Sequence, residues 1–394
     1  LGLPLRPMPI SDEWFEWPSL VDLFPVSFPG VHTGRDRFLL NTLQDPLRTR
    51  VADYFDPDIS NDAISRMYPA AMRNSTAFAE RDARKVRNSL LARGGPIESG
   101  FVRDTYRPFD VRWLYWENDR RLLTAPSPSY WQHLIPGNLW LSSAQHLRKG
   151  ADEPQACVSR LAASFHLIER GAAMFPLYLR DDQFGDEVDG IKRTANLSEL
   201  ARAYVESMDA APEDLFHHVL ATLHDSAYRE ANAGGLRMGW PRIPLPDDPA
   251  DLAQSAARGH RLARLLDTES DVADLLTDHT QIAVDTTIDG NPMQPDDFNV
   301  TAGWGHFGAN QAVMPGQGKL ERCGDVVDVY LNDRAYWRDV PIEVWEYRLG
   351  GYQVLKKWLS YRESKVLGRA LTVGEVNWFS EVARRIASNL ELFR

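Results

Sequence analysis

The chain has 394 residues, 43% hydrophobic and 25% charged, with a formal net charge of -11. That length supports a large core divided into two or three subdomains. No apolar run approaches the roughly 20 residues that cross a bilayer, and the opening LGLPLRPMPISDEW lacks the apolar core of a signal peptide, so the expected address is the cytoplasm. Cys157 and Cys323 are too few for a disulfide framework or a self-contained zinc site, and both read as structural. The first residue is Leu rather than an initiator Met, which suggests a fragment or processed product with partner domains upstream.

The acidity is local. Residues 181–300 hold 24 Asp or Glu against 9 Lys or Arg, whereas the rest of the chain holds 31 against 35. A polyanion responds to the face it meets and not to the whole-chain sum, so a net negative charge does not exclude nucleic acid.

In chain order, residues 1–190 mix short apolar runs with Pro and Gly turn signals, the pattern of short strands and loops. Within them, residues 76–92 (TAFAERDARKVRNSLLA) read as a helix ended by Gly94. Alternation across 111–116 places Val111, Trp113 and Tyr115 on one strand face, and Arg112, Leu114 and Trp116 on the other. Pro176 to Leu179 reads as a further strand. Residues 191–280 turn helical: one helix carries Leu197, Leu200, Ala201, Tyr204 and Met208, and a second starts at Pro212 and stops at Gly234-Gly235. Three prolines make Trp240 to Pro246 extended, and a helix follows over about 250–277. Residues 281–394 return to short strands and close with two helices. The last of these opens on a Thr372/Glu375 capping box and carries Val376, Phe379, Val382, Ile386 and Leu390 as its buried stripe. The expected fold class is mixed α+β: a recognition subdomain over 1–190, an acidic helical module over 191–280, and strands and helices over 281–394 that complete the recognition domain.

Motifs for catalysis are nearly absent. Gly303-Trp-Gly305-His-Phe-Gly308 matches GxGxxG but lacks the surrounding strand, helix and acidic residue of a dinucleotide site. There is no P-loop and no GxSxG elbow. Ser127-Pro-Ser-Tyr130 is a near miss to the loop by which amino-methyltransferases hold a flipped base, and it reads as a turn. Glu363-Ser-Lys365 resembles the tail of a PD-ExK nuclease motif, but the nearest Pro-Asp pair, Pro295-Asp296, lies 67 residues upstream. His217, His218 and His224 share one predicted helix but are too few for zinc, and solvated or capping roles are expected. No catalytic residue and no metal ligand is assigned.

The most informative segment is FVRDTYRPFDVRWLYWENDRR, residues 101–121. It sets Arg103, Arg107, Arg112, Arg120 and Arg121 among Tyr106, Phe109, Trp113, Tyr115 and Trp116. Guanidinium forks bond phosphate and base edges bidentately and stack on flat rings, so this mixture suits a nucleic-acid surface. The same pattern also fits strands whose arginines are solvated over an aromatic core.

Five segments in order carry a resemblance: Gly30-Val-His-Thr-Gly-Arg-Asp36; Tyr106-Arg-Pro-Phe-Asp110; Phe175-Pro-Leu-Tyr178; Leu220 to Arg229 with Trp240 to Pro244; and Gly350-Gly-Tyr-Gln-Val-Leu-Lys-Lys-Trp-Leu359. From about residue 20 to the C-terminus the chain resembles the target-recognition region of Type ISP and related single-chain restriction-modification enzymes. The resemblance implies sequence-specific recognition of double-stranded DNA for phage defence. It implies that a target adenine is presented to an adenine-N6 methyltransferase domain outside this chain, which uses S-adenosylmethionine and is accompanied by helicase and nuclease domains. Within this chain, His32, Thr33, Arg35 and Arg37 of the Gly-flanked loop are candidate DNA contacts, with Gly30 and Gly34 expected to let that loop approach the DNA backbone. Arg107, Arg112, Arg120 and Arg121 follow, and Lys356, Lys357 and Arg362 are candidate phosphate clamps from the C-terminal helix. Two other readings stand beside this one: a protein-interaction scaffold docked within a DNA-processing complex, and a degenerate methyltransferase.

Overall fold

The alternation across 111–116 forms the second strand of a hairpin in the strand-rich unit of the protein. The computed structural model describes residues 8–145, 153–168, 170–183, 186–188, 190–276, 292–308 and 312–394. It falls into two compact units: Leu20–Gln145 with Val158–Tyr204, and Leu1–Ser19 with His146–Cys157 and Val205–Arg394. Helices and several small sheets give the expected mixed α+β class.

The strands of the first half of the chain are β1 (Phe28–Pro29), β2 (Leu40–Asn41), β3 (Phe101–Arg107), β4 (Asp110–Tyr115), β5 (Trp140–Ser143), β6 (Cys157–Ser159), β7 (Ala162–Ala163), β8 (Ala173–Pro176), β9 (Tyr178–Arg180), β10 (Asp186–Val188) and β11 (Ile191–Ala195). They form sheets in the orders β2-β4-β3-β7, β1-β8-β5-β6 and β10-β11-β9. In the first sheet, antiparallel pairing sets Phe101 opposite Tyr115 and Asp104 opposite Arg112, and β7 adds a parallel edge with Asp104 opposite Ala162. Leu114 and Tyr115 are both fully buried although they point to opposite faces, so this sheet is covered on both sides. The helix Gln44–Phe55 supplies part of the cover, with Phe55 edge-on to Tyr115 at 6.1 Å.

The other unit is built on the helices Pro212–His224, Pro249–Leu266 and Val373–Leu392. Its strands are β12 (Gly305–Phe307), β13 (Val313–Pro315), β14 (Leu320–Cys323), β15 (Val326–Tyr330), β16 (Tyr336–Pro341), β17 (Arg348–Leu349) and β18 (Tyr352–Gln353), of which β14-β15-β16 is the largest sheet. Trp337 lies 3.9 Å from Phe379 and Trp358 lies 5.6 Å from it, which joins β16 and the helix Val354–Arg362 to the terminal helix. The capping box at that helix forms as expected: Glu375 N donates to Thr372 Oγ1 (3.2 Å) and Thr372 N donates to Glu375 Oε2 (2.9 Å). Its stripe is buried at Val376, Phe379, Val382 and Ile386, while Leu390 is half-buried.

Several boundaries differ from the sequence reading, each for a local reason. The helix expected from residue 76 begins at Ala83, because Asp82 accepts from the amides of Arg84 (3.0 Å) and Lys85 (3.4 Å) as its N-cap. The helix expected to run to the double glycine ends at His224. Asp225 turns the chain there and caps the next short helix through Ala227 N (2.8 Å). The helix expected over 250–277 stops at Leu266. The strand read over 176–179 is two strands, broken where Leu177 N turns to the carbonyl of Leu139 (2.9 Å).

Candidate nucleic-acid interface

At the end of the β3–β4 hairpin, Tyr106 is sandwiched between two guanidiniums, with Arg107 4.1 Å and Arg112 3.9 Å from its ring centroid. Both arginines are bound into the protein. Arg107 donates to the Tyr106 carbonyl (2.5 Å) and reaches Ser164 Oγ (3.5 Å), and Arg112 donates to Asp110 Oδ2 through Nε (3.2 Å) and Nη2 (2.7 Å). The Tyr106 hydroxyl donates to Asp36 (2.8 Å), whose other oxygen accepts from Thr33 Oγ1. Arginines interleaved with aromatics therefore do stack here, but on a ring that is itself buried.

Beneath this cluster Asp104 is 2% exposed, and its Oδ1 has no hydrogen-bond partner. Burial, with the charge of Asp36 adding to it, raises its pKa from 3.8 to about 8, although Arg107 and Arg112 pull the other way. Between about pH 4 and pH 8 Asp104 therefore holds a proton in the folded chain that it releases in the unfolded chain, so its own contribution to stability falls as pH rises through this window. Asp104→Asn should remove that slope and leave the protein more stable than the parent at pH 8, by at most on the order of 5 kcal/mol. Urea unfolding of both proteins at pH 5 and pH 8 measures it, and a stability difference between parent and variant that is the same at the two pH values would contradict the assignment.

Both glycines of the Gly-flanked loop pack closely against protein. A Cβ at Gly30 would lie 2.6 Å from Phe165 N, and one at Gly34, whose φ is +67°, would lie 2.2 Å from Thr124 Oγ1. His32 is half-buried, stacked on Phe165 (5.7 Å) and edge-on to His166 (5.2 Å). Burial lowers the pKa of His32, and burial with Arg107 nearby lowers that of His166 to about 4, so both rings are neutral at physiological pH. Thr33 is buried. Arg35 is 2% exposed, lies 3.6 Å over the Phe78 ring and donates to the carbonyls of Arg121 (2.9 Å) and Leu122 (2.6 Å). Burial lowers its pKa to about 10 without discharging it. Arg37 alone in this loop is exposed.

Arg121 is gripped by both oxygens of Asp119 (2.5 to 3.1 Å) and by Ser89 Oγ (2.6 Å), whereas Arg120 is exposed. On the C-terminal helix, Arg362 is buried with its guanidinium 4.1 Å over Trp358, and Lys357 lies 4.6 Å over Tyr361 with Nζ 3.4 Å from the Val313 carbonyl. Lys356 is half-buried and its side chain has no hydrogen bond or ion pair.

Two motifs set aside above occupy each other. Glu363 is buried and accepts from Trp304 N (2.8 Å). The glycine-rich loop thus closes on a carboxylate of its own chain where a dinucleotide loop would hold a pyrophosphate. The histidines expected to be solvated are instead buried. His218 bonds Ser255 Oγ and the Pro244 carbonyl (both 2.8 Å), His224 bonds the Ala156 carbonyl (2.9 Å), and burial lowers the pKa values of His217 and His224 to about 4 and about 3. No group of three or more His, Cys, Asp or Glu is placed to hold a metal among the described residues. Tyr130 of the near-miss loop is fully buried. Cys157 is buried as a structural thiol would be, and Cys323 is exposed. Among the described residues no helix is long and apolar enough to cross a membrane.

The chain is thus a mixed α+β protein in which Arg107 and Arg112 pack on Tyr106 of the β3–β4 hairpin. The chain belongs to the Type ISP C-terminal specificity domain family, whose model matches residues 22–388. No curated protein matches. Several solved structures share its fold. One is a nuclease-deletion mutant of the Type ISP restriction-modification enzyme LlaGI in complex with a DNA substrate mimic (18% identity, TM-score 0.61, covering 98% of this chain and 29% of that one). Another is a DrdV–DNA complex (19% identity, TM-score 0.61, 100% and 38%). A third is the ATP-dependent Type ISP restriction-modification enzyme LlaBIII bound to DNA (14% identity, TM-score 0.63, 98% and 24%). The chain thus spans between about a quarter and two-fifths of the length of each.

Proposed function

We propose that this chain recognises the DNA target sequence of a restriction-modification enzyme. The observation that carries the reading is the specificity-domain match over residues 22–388, and the likeness in fold to chains solved with DNA supports it. In the finer form of the proposal, the chain presents a target adenine to an adenine-N6 methyltransferase domain outside it. That domain binds S-adenosylmethionine, and helicase and nuclease domains belong to the same enzyme. The residues of this chain then hold the duplex in register and read its base edges. Of the sequence-derived candidates, Arg37 and Arg120 are exposed, whereas Arg35, Arg107, Arg112, Arg121 and Arg362 are bonded to or stacked on groups of the protein.

The test is a transplant. The corresponding region of a Type ISP enzyme is replaced by this chain, and the methylated adenines of a host genome are mapped. A new asymmetric methylated sequence is the expected result. Methylation that stays at the recipient enzyme's own sequence in an active, folded chimera would overturn the proposal.

A further inference from the structure

Residues 61–93 concentrate exposed positive charge. Residues 61–93 carry seven Lys or Arg against three Asp or Glu, in a chain whose overall charge is negative. All three acids are engaged: Asp62 pairs with Arg84 (2.5 Å), Glu80 accepts from Asp82 N (3.0 Å), and Asp82 caps the helix Ala83–Arg93. Four of the seven bases, Arg66, Arg73, Arg81 and Lys85, are exposed, and their side chains form no hydrogen bond or ion pair. Arg120 shares both properties and lies against the same segment. Its carbonyl accepts from Ala79 N (3.0 Å), and the neighbouring Arg121 reaches Ser89 Oγ (2.6 Å), one helical turn beyond Lys85 on the same helix face.

An arginine held by a carboxylate has already spent its charge within the protein, as Arg112 and Arg121 have. Five exposed cations without an ion pair, four in residues 66–85 and one at Arg120, whose carbonyl bonds this segment, instead make a local field suited to a polyanion. From this we infer that Arg73, Arg81, Lys85 and Arg120, with Arg66 at the margin, form a phosphate-contacting track for duplex DNA. The inference rests on the DNA-recognition reading above and adds to it the surface that meets the sugar-phosphate backbone. Such contacts set register and affinity without reading sequence.

The test measures binding of this chain to a 30-base-pair random duplex and to a duplex carrying its selected sequence, over a series of salt concentrations. Arg73→Ala/Arg81→Ala/Arg120→Ala should weaken both duplexes by the same factor, at least about tenfold. The slope of log K against log salt should become shallower by about two to three, since each phosphate contact contributes about 0.9. The corresponding triple Lys variant should restore most of that slope, because an ammonium serves a phosphate as a point charge but cannot replace a bidentate fork on guanine. The altered side chains have no protein partners, so unchanged thermal unfolding is expected and separates loss of contact from loss of fold. A parent-like slope in the triple Ala variant would overturn the track and leave the DNA reading standing. Loss confined to the selected duplex would make these residues base readers and overturn it equally. A parent that binds neither duplex would overturn the track together with the function it rests on.

Discussion

Gly259→Ala should destabilise the unit containing the helical pair by about 3 kcal/mol or more, although alanine is the better helix former by about 1 kcal/mol. Gly259 lies inside the helix Pro249–Leu266, where a Cβ would stand 1.8 Å from the carbonyl oxygen of His217 and 2.5 Å from its carbon. Those atoms are backbone of the helix Pro212–His224, so no rotamer change relieves the clash and the two helices must separate. Gln254→Ala, an exposed site on the same helix, is the matched control and should stay within about 0.5 kcal/mol of the parent. Urea unfolding of the three proteins decides it. A Gly259→Ala protein as stable as the parent would show that the helices do not meet at this distance.

Arg385→Ala should cost about 3 to 5 kcal/mol. The guanidinium is 3% exposed at the side chain and reaches from the terminal helix to the end of Pro249–Leu266. Nη1 donates to the carbonyls of Asp267 (2.9 Å), Arg264 (3.3 Å) and Leu265 (3.4 Å), Nη2 donates to that of Ser270 (2.9 Å), and Glu381 pairs with the same group at 2.7 Å. Helix-end carbonyls lack partners within the helix, so one buried side chain satisfies the acceptors that would otherwise be stranded there. Arg385→Lys should recover only part of the loss, because a compact ammonium cannot span donors set this far apart. A denaturation midpoint unchanged in Arg385→Ala at constant slope would refute the role.

Arg385 also shows why parts of the fold were illegible in the sequence. The pattern over residues 250–277 is helical, but the chain turns at Asp267, which accepts from Ser270 Oγ (2.8 Å), and the Asp267 carbonyl is taken up by Arg385, 118 positions away (2.9 Å). Signals that act within a few residues were readable: the Thr372/Glu375 capping box, Pro212 in a first turn and the extended Trp240–Pro246 segment all stand as expected. Asp82 and Asp225 are local too, yet their capping overrode apolar periodicities that ran through them.

The candidate site was legible in kind but less so in detail. Arginine next to aromatic residues announced stacking, and stacking occurs at Tyr106. Spacing along one strand does not show whether a guanidinium faces solvent or a carboxylate, and Arg35, Arg112 and Arg121 face protein groups. The exposed cations at Arg73, Arg81 and Lys85 had a readable signal, a basic excess over residues 61–93. Gly30 and Gly34 mark close approach, as glycines in loops often do, but the approach is to Phe165 and Thr124 of the same unit.

The most direct test of DNA recognition is selection by this chain from a randomised duplex pool at physiological salt, followed by sequencing of the bound fraction. Enrichment of one short asymmetric sequence is the predicted result, with affinity for it at least about a thousandfold above random duplex. Recovery of a pool indistinguishable from the input, from a folded chain, would contradict the assignment of target recognition to these 394 residues.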